Sequence, residues 1–135
     1  MSADPRYIPG SLRNLPPAGD RRAGFRFVFR TQGNRSLYYV AHRMTLTVDG
    51  LDIPGERLRL TRDGVTVRAS DLVKTDWVPL EGESIEVAAE HPGGLGHGRH
   101  RIRLQALFGG VWGSARAGTP ATLCEFEAEL APEGQ

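Results

Sequence analysis

Three histidines and four glycines share the ten residues His-Pro-Gly-Gly-Leu-Gly-His-Gly-Arg-His, positions 91 to 100. Three chemistries use such a composition: a metal centre, a loop that cradles phosphate, or a turn between strands. Zinc asks for about four N, S or O ligands in tetrahedral array. His97 and His100 stand three apart, a spacing that unites imidazoles on a helix. The glycines deny a helix here, and on an extended strand the same spacing sends the side chains to opposite faces. His100 is also flanked by Arg99 and Arg101, poor neighbours for a dication. Phosphate loops run into a helix N-terminus, whereas alternation resumes here at once. The expected structure is a hairpin turn, with Pro92 stiffening its entry, glycines at positive φ and Leu95 plugging the end of the fold.

Other candidates for chemistry fare no better. Cys124 sits at an inward position of an alternating strand beside Phe126, Ala128 and Leu130, where a thiol is expected to be a small core residue. No Gly-x-Ser-x-Gly nucleophile elbow occurs. Glu125, Glu127 and Glu129 alternate as the solvated face of a strand does, so no carboxylate pair is assigned. No catalytic residue and no metal ligand set is expected in this chain. The residues assigned to partner contact are Tyr38, Tyr39, Trp112 and Arg116, together with the N-terminal arginines. Of two adjacent tyrosines only one can face a core, and Trp112 stands on a glycine-rich stretch where an aromatic suits an interface.

The elements that would position these residues follow a period of two. Phe25, Phe27 and Phe29 alternate with Arg26, Val28 and Arg30. Met44, Leu46 and Val48 alternate with Arg43, Thr45 and Thr47. Successive strand side chains point to opposite faces, so this pattern reads as strands with one buried face. Asp49-Gly50 and Asp63-Gly64 are hairpin turn signals. Leu58 and Leu60, Val65 and Val67, Ile85 and Val87, Ile102 to Phe108, and Cys124 to Leu130 continue the series. One helical turn is expected over Ser70–Val73, capped by Ser70 or Asp71. Seven or eight short strands predict an all-β fold, a two-sheet antiparallel β-sandwich of immunoglobulin-like or jelly-roll style. Residues 1–20, with four of the nine prolines, read as an irregular arm, and residues 21–135 as the sandwich domain. Residues 108–120 read as a long loop, and Trp77 as a core or edge plug.

The 135 residues carry a net charge of +1, 39% hydrophobic and 24% charged side chains, the balance of an ordinary soluble domain. That charge is uneven: residues 1–43 hold eight arginines against two aspartates, a net of +6, and the remainder balances at −5. The expected outcome is neutralisation between neighbouring strands, without a nucleic-acid site, since basic and aromatic residues do not interleave as in known modules. No apolar run reaches the ~18 residues of a membrane span, and the first residues lack a secretory apolar core. A lone cysteine excludes an internal disulfide. A cytoplasmic location is expected.

Ser11, Arg13 and Asn14; Val48, Asp49 and Gly50; Trp77; and Gly93, Gly94, Leu95, Gly98 and His100 occur in an order and spacing that resembles the small β subunits of bacterial C-glycoside deglycosidases. The resemblance runs over residues 11 to 107. Thr31–Tyr38 and the Phe-Gly-Gly-Val-Trp-Gly segment depart from the family's pattern, so no particular substrate is implied. The resemblance implies an accessory subunit of a heteromeric carbon–carbon lyase. Its partner α subunit would be an isomerase-like barrel holding a divalent metal, manganese by expectation, and the acid–base residues. The substrate would be a 3-oxo-C-glycoside with an aromatic aglycone, whose keto group acidifies the adjacent C–H and so drives elimination. A second reading, from another class, is a free-standing sandwich module that binds carbohydrate or protein. A third, a small metal enzyme built on His91, His97 and His100, is the least favoured by the geometry above.

Overall fold

Period-two alternation folds as it reads. In the computed structural model, which describes residues 5–19, 22–30, 39–74, 82–110 and 119–131, nine strands lie in two antiparallel sheets. Side chains are described at these positions except 39–43, 72–74, 107–110 and 119–121. β1 (Arg13–Leu15), β2 (Gly24–Arg30), β7 (Ser84–Glu90), β5 (Leu58–Arg62) and β6 (Val65–Arg68) form the five-stranded sheet in that order. β4 (Leu51–Pro54), β3 (Tyr39–Val48), β8 (Arg99–Gly110) and β9 (Thr119–Glu129) form the other. The described residues contain no α-helix. Ala69–Lys74 is a 3₁₀ turn, spanning the segment expected to make one helical turn.

One core lies between the sheets. Phe25, Phe27 and Phe29 of β2 are buried with Leu58, Leu60, Ile85 and Val87 of the same sheet. Met44, Leu46 and Val48 of β3, Ile102 and Leu104 of β8, and Cys124 and Phe126 of β9 cover them from the opposite sheet. The Phe27 and Phe126 rings meet edge to face, centroids 5.1 Å apart, a geometry worth ~0.5–1.5 kcal/mol beyond area burial. The fold is the two-sheet antiparallel β-sandwich expected. Cys124 is buried within that core.

The alternation at Val65 and Val67 has a different outcome. β6 is the edge of its sheet, so Val65 is 65% exposed and Val67 only partly buried. An edge strand need not bury a full face, and its period is no measure of depth.

Within the proline-rich arm, Arg13–Leu15 forms an edge strand on β2, a position that tolerates nearby prolines. The arm also reaches both sheets. Ile8 N–H donates to the Val28 carbonyl (3.0 Å) and Arg30 N–H to the Arg6 carbonyl (2.7 Å). Arg6 Nη1 donates to the Thr122 carbonyl on β9 at 2.9 Å, and the Tyr7 ring stacks on Phe126 with centroids 3.7 Å apart. Ser11 is buried, donating to the Ile8 carbonyl (2.7 Å) and accepting from Val28 N–H (2.9 Å).

Candidate functional site

The stretch from His91 to His100 crosses from one sheet to the other. β7 belongs to the five-stranded sheet and β8 to the four-stranded one, so the segment is a turn but not the hairpin expected. Its first bend is a β-turn: Gly94 N–H donates to the His91 carbonyl at 2.8 Å, Pro92 follows His91, and Gly93 has φ +77°. Proline at the first central position and a positive φ at the second are the demands of a type II turn. Leu95 then turns inward and is 6% exposed, closing the end of the sandwich as expected.

Two side chains distant in sequence, Asn14 and Asp49, hold this crossing. Asn14 of β1 clamps Leu95 through both ends of its amide: Leu95 N–H donates to Oδ1 (2.8 Å), and Nδ2 donates to the Leu95 carbonyl (2.9 Å). The fit is close, since a Cβ on Gly94 (φ +70°) would lie 2.7 Å from the Asn14 amide. At the other end, His100 Nδ1 lies 2.7 Å from Asp49 Oδ2 and Nε2 lies 2.7 Å from the Gly96 carbonyl. Asp49 occupies the β3–β4 turn at φ +50°, followed by Gly50 at +86°, the doubly positive geometry for which Asp-Gly is preferred. Its other oxygen accepts from Arg101 N–H (2.9 Å), and its own N–H donates to the Arg101 carbonyl (2.9 Å).

These bonds govern the pair's charge. The Arg101 N–H and then the His100 ring hold the Asp49 carboxyl below its ordinary value, against a smaller opposing effect of burial. For His100, burial is the largest single influence and disfavours the imidazolium. The Asp49 hydrogen bond, the Gly96 carbonyl and the Asp49 charge together outweigh it, so the pKa is raised. The chemistry available here is that of an ion-paired staple, with both histidine nitrogens occupied.

The structure does not bring the three histidines into a ligand set. His97 is exposed. The His91 ring lies edge-on to Phe25 at 6.0 Å. No group of three His, Cys, Asp or Glu among the described residues is arranged to hold a metal ion. The C-terminal glutamates pair as a strand face: Arg99 approaches Glu127 (3.9 Å) and Arg101 approaches Glu125 (3.8 Å). Both contacts are exposed diagonals of the β8–β9 ladder, of a type worth ~0–1 kcal/mol.

Of the residues assigned to partner contact, Tyr38, Trp112 and Arg116 lie outside the described residues, as does Trp77. Tyr39 opens β3, opposite Gly110. The expected loop over 108–120 is narrowed by β8, which continues to Gly110, and by β9, which begins at Thr119. The Asn14–Leu95 clamp and the Asp49–His100 pair were not apparent from the residues alone. The only signal was that all four fall within one ordered string of motifs.

That string has a counterpart among known proteins. The family model described as C-glycoside deglycosidase beta subunit matches residues 6–109, which contain both clamps and the whole crossing. A comparison with curated proteins gives no match.

Proposed function

We propose that this chain, which belongs to the C-glycoside deglycosidase beta subunit family, is the accessory subunit of a heteromeric lyase whose catalytic groups reside in a partner α subunit. The observation that carries the reading is the family match over residues 6–109, spanning a crossing whose clamping side chains are occupied in holding the fold together. His100 has an acceptor at each ring nitrogen, Asn14 uses both ends of its amide on one backbone unit, and Cys124 is sealed in the core. These contacts suit a rigid body that shapes or supports a partner.

In this reading the α subunit is an isomerase-like barrel with a divalent metal, manganese by preference. The metal would stabilise the negative charge that develops on the 3-keto oxygen. The complex would cleave the carbon–carbon bond between a 3-oxo sugar and its aromatic aglycone by removing the acidic C–H beside the ketone. The enolate then forms a carbon–carbon double bond in the sugar, and the aglycone carbon leaves with the bonding pair and takes up a proton from the partner's acid. The described residues of this chain offer that metal no set of three ligands, and no step is assigned to them. No helix among them is long and apolar enough to cross a membrane.

Size-exclusion chromatography of the chain co-expressed with an α subunit tests the reading. Co-elution as a stoichiometric complex is expected. Separate elution, with the α subunit fully active by itself, overturns the proposal and favours a free-standing binding module.

A further inference from the structure

The register of the five-stranded sheet assembles a row of arginines that the chain does not reveal in order. Arg13 pairs with Arg26 across β1–β2, Arg26 with Ala88 across β2–β7, Ala88 with Arg59 across β7–β5, and Arg59 with Arg68 across β5–β6. Directly opposed residues of an antiparallel pair share a face. Arg26 alternates with the buried Phe25 and Phe27, so the row lies on the outer face. At about 4.8 Å per strand it spans roughly 19 Å. Ala88 stands at its centre as a shallow step between two pairs of guanidinium groups.

Like charges placed directly opposite destabilise a sheet, and this sheet does so twice, at Arg13–Arg26 and at Arg59–Arg68. Two glutamates on the same face offset part of the charge. Glu86 lies 3.5 Å from Arg26 and Glu90 lies 3.9 Å from Arg59. With Arg30 at the exposed end of β2, the strand positions of this face carry five arginines against two glutamates. The outer face of the other sheet is composed differently. Its described positions set Arg99, Arg101 and Arg103 opposite Glu129, Glu127 and Glu125, with Asp52 bonded to Thr47 nearby. Only Arg13, Arg26 and Arg30 of this face come from the arginine-rich first 43 residues, and Arg59 and Arg68 complete it from the more acidic remainder.

We propose that the arginine row is a docking surface for a carboxylate-rich protein face, that of the partner α subunit. The proposal rests on the subunit reading above and names the side of the sandwich that it uses. A protein partner fits better than a nucleic acid for two reasons. Glu86 and Glu90 are set within the basic face and would repel a continuous phosphate backbone. The row flanking the arginines at Val28, Glu86, Thr61 and Thr66 has no aromatic ring on which a base could stack. A mosaic of fixed positive and negative groups matches the mixed charge of a folded protein, and guanidinium forks suit carboxylates.

The test measures affinity for the α subunit by titration at physiological ionic strength. Arg30→Glu/Arg68→Glu reverses two exposed charges of this face. Arg26→Gln/Arg59→Gln removes two charges without reversal, and Arg99→Gln/Arg101→Gln is the control on the opposite sheet. Expected are at least tenfold weaker binding for the reversal, a smaller loss for the neutral pair, and an unchanged control, each variant retaining the wild-type melting profile. Wild-type affinity in both face variants overturns the proposal and leaves the subunit reading intact. If the wild-type chain does not bind the α subunit at all, the subunit reading fails and this one with it. Submicromolar binding of a DNA or RNA duplex, lost in the reversal variant, overturns it in favour of a nucleic-acid surface.

Discussion

His100 faces an acceptor at each of its ring nitrogens, the Asp49 carboxylate at 2.7 Å and the Gly96 carbonyl at 2.7 Å. A neutral imidazole has one N–H and can satisfy only one of them, whereas the imidazolium satisfies both. Burial works against that charge, but the two acceptors and the Asp49 charge together prevail. An NMR titration of the folded chain is therefore expected to place His100 above its ordinary 6.5. The linkage has a definite sign. A raised histidine pKa adds stability that is complete below 6.5 and disappears as pH rises through the folded-state value. The depressed Asp49 adds stability that is complete above 3.8 and disappears as pH falls through its own folded-state value. The pair thus contributes fully only in the mildly acidic range between them. In Asp49→Asn the His100 midpoint is expected to fall, and a wild-type midpoint at or below 6.5 contradicts the staple.

Asn14→Ala removes a donor and an acceptor that together satisfy the Leu95 peptide. The Leu95 peptide atoms are part-buried, so losing both partners is expected to lower stability by ~1–3 kcal/mol. Chemical denaturation measures this. A change below about 0.5 kcal/mol, the scatter of ordinary surface substitutions, would show that water replaces the amide and that the clamp does not hold the crossing.

Phe126→Ala empties the centre of the sandwich, where the ring meets Phe27 from the opposite sheet and Tyr7 from the arm. The expected loss is ~3–5 kcal/mol. Because Tyr7 loses its stacking partner, hydrogen exchange at Ile8 and at Arg30, whose N–H donates to Arg6, should accelerate more than exchange in β8. Uniform acceleration would mean that the arm is not held through this ring.

The sandwich was legible because each core strand buries one face, and a buried face leaves a period of two, as at Phe25, Phe27 and Phe29. What the pattern does not carry is which strand lies beside which. A turn rich in glycine reads alike whether the chain returns along the same sheet or crosses to the other, so the His91–His100 segment was expected to be a hairpin and is a crossing. The clamps were hidden for a related cause. Asn14 and Leu95 stand 81 residues apart, and Asp49 and His100 stand 51 apart. Resemblance to a family singled out all four without indicating that they touch. The arginine row was hidden most completely, since its members come from four strands and only the register aligns them. Val65 shows the converse, an alternating residue whose edge strand leaves it in solvent.

The role proposed for this chain is to complete an enzyme whose chemistry lies in a partner. Its most direct test is turnover of a 3-oxo-C-glycoside with an aromatic aglycone, assayed with the α subunit alone, this chain alone, and the two together. Aglycone release is expected only from the mixture. A chelator should abolish that release, while the melting temperature of this chain alone stays unchanged. An α subunit that turns over equally well with or without this chain, or turnover by this chain alone, would contradict it.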